Sequence, residues 1–131
     1  MLALFPLMIL PFIAYNLILV SGSGVAMLSQ TALSVTMMSG GVWTMNVGEM
    51  LIVASLILLF FEIMKSTRTS NASVLDHLLS TFVFVAFLVE FLLVGGAATS
   101  VFFILMVMAA VDVMAGFSVS IRAAGRDVSF N

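Results

Sequence analysis

The sequence predicts an all-α integral membrane protein with four transmembrane helices and an amphipathic interfacial helix between the first and the second. Three observations carry that expectation. Of 131 residues, 63% are apolar and 8% charged, and mean hydropathy is +1.34. No charged side chain occurs before Glu49. Four apolar runs approach the ~20 residues that cross a hydrocarbon core as a helix, separated by polar or glycine-containing stretches. A soluble domain carries roughly a quarter of its residues as Asp, Glu, Lys and Arg. Four basic and six acidic residues cannot keep a surface of this size wet, so lipid is the solvent. Residues 1–131 read as a single polytopic membrane domain.

The first predicted span covers residues 2–20 and closes at Ser21-Gly22-Ser23-Gly24. It lacks the basic leader of a signal peptide, so it reads as a span. Pro6 falls in its first turns, whereas Pro11 is expected to kink it. Residues 25–39 repeat Val25, Leu28, Ala32 and Val35 at helical spacing, with Gln30, Ser34 and Gly41 on another face. That pattern predicts a helix lying in the interface, with a re-entrant or fifth spanning helix as the alternative. Trp43 follows, a residue favoured at headgroup level.

The second span, 45–64, opens with Asn46 and Glu49 at the spacing of an N-cap residue and its reciprocal acid. The third, 74–94, opens with Ser73 and Asp76 at the same spacing and ends at Gly95-Gly96. The fourth covers 100–122, with Gly125 placed as its C-cap. All four basic residues lie after the second span or after the fourth. The positive-inside rule then places both termini in the cytoplasm, and a bacterial inner membrane is the expected location. The Asn71-Ala72-Ser73 triplet is thereby cytoplasmic and not a glycosylation acceptor.

Ionisable residues inside spans are costly and mark candidate sites. At about 1.5 Å per residue, Glu62 and Asp112 both lie roughly 20 Å from the outer ends of their helices, and Glu90 roughly 10 Å. Glu62 and Asp112 are therefore expected to meet, with Lys65 one turn beyond Glu62 and able to pair with either. Their expected role is an acid–base clamp between the second and fourth helices. Tyr15 and Asn16 are level with Glu90 and are its expected hydrogen-bond donors. Asp112, Gly116 and Ser120 recur every four residues and predict a close helix-packing or partner face. His77 is expected to be exposed and solvated at the start of the third helix.

Other chemistry finds little support. The chain has no cysteine, which excludes disulfides and thiolate metal sites. Its 11 methionines are scattered over every segment and read as packing material rather than as a copper site. Nucleophile-elbow, zinc-binding and phosphate-loop motifs are missing. No cofactor or metal is implied, and the charge balance of −2 offers no nucleic-acid footprint. Phe91-Leu92-Leu93-Val94-Gly95-Gly96-Ala97-Ala98 resembles the start of the polyprenol-linked glucose translocase family, and Ser80-Thr81-Phe82 is similar to the core of the phenylalanine motif of small fluoride channels. Each match is short and lacks the rest of its family's pattern, so neither assigns a family.

The functional expectation is a non-enzymatic accessory or assembly subunit. Its expected partners are the transmembrane helices of a larger complex and membrane lipids. A homo-oligomeric channel or proton-coupled transporter using Glu90 and Asp112 is the alternative.

Overall fold

A computed structural model of the chain describes residues 5–66 and 71–129, with side chains described at 5–65 and 74–118. The order of elements is α1 (Ile9–Leu19), a 3-10 helix (Gly24–Ser29), β1 (Thr31–Thr36), β2 (Val42–Asn46), α2 (Val47–Ser66), α3 (Asn71–Leu93), a short 3-10 turn (Gly95–Ala97) and α4 (Ser100–Ser129). Among the described residues, three stretches are long and apolar enough to cross a membrane: Val47–Lys65, Val74–Leu93 and Ser100–Ser118. The fourth apolar helix, α1, has 11 residues. At the helical rise that is only about 16 Å, roughly half of the ~30 Å hydrocarbon core.

Pro11 falls in the first turn of α1, not in its interior. The helix starts at Ile9, so Pro11 is its third residue. In that first turn the missing N–H is no loss. The Leu7 carbonyl that an N–H at Pro11 would have sought already accepts from Leu10 N.

The largest correction falls on residues 25–39. Where the apolar spacing predicts one interfacial helix, the chain forms a single 3-10 helix and then an antiparallel β-hairpin. Thr31, Val35, Thr36, Val42 and Thr44 are β-branched and Trp43 is aromatic, types that fit a pleated strand better than a helix. Gly40 adopts φ +92°, where only glycine is at ease, and the Met37–Gly41 loop closes with Met37 N donating to Gly41 O at 2.7 Å. Across the ladder Val35 faces Trp43, an aromatic and β-branched pair of the kind that stabilises sheets. Local strand preference and turn glycines thus outweigh a weak period-3.6 pattern.

The Asn46–Glu49 capping box forms with both bonds: Glu49 N donates to Asn46 Oδ1 at 2.8 Å and Asn46 N to Glu49 Oε1 at 3.0 Å. By contrast α3 begins at Asn71, ahead of Ser73, so the second proposed box is not at a helix start. Gly125 lies inside α4 rather than past its end.

In the bundle α4 packs against both α2 and α3, and α1 leans on the 3-10 helix and on α4. Lipid tails are as apolar as the helices, so packing depends on close fit and hydrogen bonds rather than on transfer from water. The core is built around Tyr15, Phe87, Phe102 and Leu105, all fully buried. Phe12 meets Phe87 edge-on, as Tyr15 does Phe102, both at 4.9 Å between ring centres. Tyr15 also donates to the Gly96 carbonyl and contacts Thr99 Oγ1, each at 2.8 Å, which ties α1 to the turn between α3 and α4.

Candidate functional site: an ionic cluster at the meeting of three helices

Glu62 and Lys65 stand one turn apart near the end of α2, and the connection to α3 brings Asp76 alongside them. Lys65 Nζ lies 2.8 Å from Glu62 Oε1 and 3.5 Å from Asp76 Oδ1, and it also donates to the Phe5 carbonyl. Ser80, one turn beyond Asp76, donates to Glu62 Oε2 at 3.4 Å. From α4 the Asp112 carboxyl comes within hydrogen-bonding reach of both Glu62 and Ser80. Glu62 is 1% exposed, and Asp76, Ser80 and Asp112 are buried as well. One ammonium therefore pairs with two carboxylates, Glu62 and Asp76, and a third carboxyl group, Asp112, adjoins Glu62 where α2, α3 and α4 converge.

Helices α3 and α4 can approach there because α4 is small at the right height. A Cβ on Gly116 would lie 2.6 Å from His77 Nδ1 and 2.9 Å from its Cε1, so the absence of a side chain is what admits the imidazole. His77 is buried against this gap and beside Phe117, with Nε2 lacking a hydrogen-bond partner among the described residues. The expectation of a solvated histidine fails for a simple reason. Because α3 begins at Asn71, His77 is nearly two turns into the helix and on the side that faces α4.

The residues singled out from the sequence thus separate into two groups. Glu62, Lys65, Asp112 and Gly116 come together, and Gly116 packs inside the bundle rather than outward. Ser120 lies on α4, but its side chain is outside the described residues, as are those of Arg68, Arg122 and Arg126. At the other end of the bundle Tyr15, Asn16 and Glu90 do not form a network. Asn16 Nδ2 turns back to the Phe12 carbonyl at 2.8 Å, and the Tyr15 hydroxyl is taken by Gly96 and Thr99. Glu90 lies near enough to Tyr15 to act on it electrostatically, yet its Oε2 is buried with no hydrogen-bond partner among the described residues.

Sequence reasoning missed Asp76, His77 and Ser80 as members of the cluster. The signal was present: Lys65 and Asp76 flank one short connection between antiparallel helices, which sets them level. Asp76 and Ser80, four apart, share a helix face.

No group of His, Cys, Asp and Glu among the described residues has the arrangement of a metal site. No family model, curated protein or solved structure matches the chain.

Proposed function

We propose that this chain is a non-enzymatic accessory or assembly subunit that packs against the transmembrane helices of a larger complex, in a bacterial inner membrane with both termini cytoplasmic. The observation that carries the reading is how the polar groups of the spans are spent. Glu62, Lys65, Asp76, Ser80 and Asp112 turn toward one another between α2, α3 and α4, although Asp76 Oδ1, 3.5 Å from Lys65 Nζ, makes no hydrogen bond among the described residues. Ser55 bonds back to the Leu51 carbonyl. The faces turned outward are aromatic and aliphatic, with Phe60 and Phe61 on α2, Phe82 and Val89 on α3, and Phe103 and Val107 on α4 all exposed. Such a bundle is held from within and offers its outside to lipid and to other helices. Photoreactive side chains at Phe61, Val89 and Val107 in native membranes are expected to label one set of larger membrane proteins. Labelling of lipid alone from all three positions would overturn the reading.

The second reading, a homo-oligomeric channel or proton-coupled transporter, has one observation in its favour: the buried Glu90 Oε2, without a hydrogen-bond partner among the described residues. On that reading Glu90→Gln and Asp112→Asn each abolish flux in liposomes while the protein still folds. Retained flux in both would exclude it.

A further inference from the structure

The bundle touches the β1–β2 hairpin only at its base, through α2, and leaves the rest of it uncovered. All six residues of β1 are exposed, as are Val42, Trp43 and Thr44 of β2. The sheet has two strands, and a two-stranded hairpin on its own is marginal; three or more strands, or a helix packed on one face, make it stable. Along the outer edge of β1, alternate N–H and C=O groups point away from β2 toward no strand among the described residues. Proteins usually guard such an edge with charge, proline or a bulge. Here residues 24–48 contain no charged residue and no proline, and the register irregularity sits at the base, between Thr31 and Leu33. Leu33–Thr36 is left as a regular, unguarded edge.

We propose that this edge of β1 pairs with β1 of a second copy of the chain, joining two hairpins into one four-stranded sheet. The position of the hairpin favours a second copy as the occupant. β2 ends at Asn46 and the span Val47–Lys65 begins at the next residue, so the hairpin is held at a fixed height at the edge of the membrane. Copies inserted in the same orientation carry their hairpins at one level. Charge favours it too. Strands that oppose like charges destabilise each other, and a strand pairing with itself does so wherever it is charged. β1 is Thr-Ala-Leu-Ser-Val-Thr and carries none. Four strands fall within the usual size of a stable sheet, and a twofold contact is the commonest way a chain associates with itself. Leu33 and Val35, both exposed in the single chain, gain neighbours in that sheet.

The chain has no cysteine, so a single introduced thiol reports its own position. The full chain is reconstituted in phosphatidylcholine vesicles at a low protein-to-lipid ratio and treated with a short bismaleimide. Ser34→Cys on β1 is expected to give a cross-linked dimer. Met38→Cys, in the fully exposed hairpin loop, reports random collision and is expected to give little. Adding Val35→Lys to Ser34→Cys charges both edges and is expected to lose the dimer, whereas adding Val42→Lys on β2 leaves it. Circular dichroism of each variant checks that the helices persist. A monomeric Ser34→Cys protein, equal cross-linking from Met38→Cys, or a dimer that survives Val35→Lys would each overturn the proposal. The heteromeric reading above would stand in any of those cases, because it rests on the outer faces of the helices.

Discussion

Replacing Lys65 by Met keeps an apolar stem of similar length and removes the ammonium, and the cost follows from its contacts. Nζ touches Glu62 at 2.8 Å and Asp76 at 3.5 Å and donates to the Phe5 carbonyl. Glu62 is 1% exposed and Asp76 4%. Removing one partner of a buried ion pair typically costs about 3–5 kcal/mol, mostly because the other charge is left without compensation. The Lys65 side chain keeps 17% of its surface exposed. Partial exposure weakens the pairing, so the loss belongs at the lower end, about 3 kcal/mol. Equilibrium unfolding of the purified chain in mixed micelles, followed by far-ultraviolet circular dichroism, measures it. Adding Glu62→Gln removes one stranded carboxylate and is expected to recover part of the loss, giving a coupling of at least about 1 kcal/mol in a double-mutant cycle. If Lys65→Met unfolds within about 0.5 kcal/mol of the parent chain, a value ordinary for surface substitutions, or if the cycle shows no coupling, the cluster is not a clamp.

Gly116→Ala is expected to cost about 1–3 kcal/mol, because the new methyl must displace the His77 ring from a packed site; the same unfolding assay reads it. Asn46→Ala is expected to cost about 1 kcal/mol through loss of the cap on α2, seen as faster hydrogen exchange at the Glu49 amide, which Asn46 Oδ1 accepts. Tyr15→Phe keeps the ring and loses the hydroxyl contacts with Gly96 and Thr99. A cost of about 0.6–1.7 kcal/mol is expected for interhelical bonds of this kind in lipid, together with greater protease sensitivity at Ser21–Gly24 as α1 loosens.

Hydropathy alone marks α2, α3 and α4, because each needs an unbroken apolar run to cross lipid and nothing else in the sequence competes with that pattern. The Asn46–Glu49 box was legible for a similar reason: both bonds are local, so spacing determines them. The hairpin was not. Val25, Leu28, Ala32 and Val35 satisfy a helical period by coincidence, and the opposing facts, β-branched residues and Gly40-Gly41, are expressed through pairing with Val42–Asn46 rather than within one window. Depth counting brought Glu62 and Asp112 to one level, yet it missed Asp76 and His77. Both sit near a helix start, where a polar residue is ordinarily read as a cap or as solvated. Only the position of Asn71 as the first residue of α3, together with the gap at Gly116, turns them inward. For Glu90 the count put Tyr15 and Asn16 level with it, but backbone carbonyls claim both donors: Gly96, in the turn before α4, takes the Tyr15 hydroxyl, and Phe12, one turn back in α1, takes the Asn16 amide.

The size and composition of the particle in which this chain leaves its native membrane tests the accessory role most directly. Extraction in a mild detergent, followed by a native gel and mass spectrometry of the band that contains the chain, is expected to return a fixed stoichiometric set of larger membrane proteins. A band that holds this chain alone, at one or a few times its 14.0 kDa mass, would contradict that role and favour a self-contained channel or transporter.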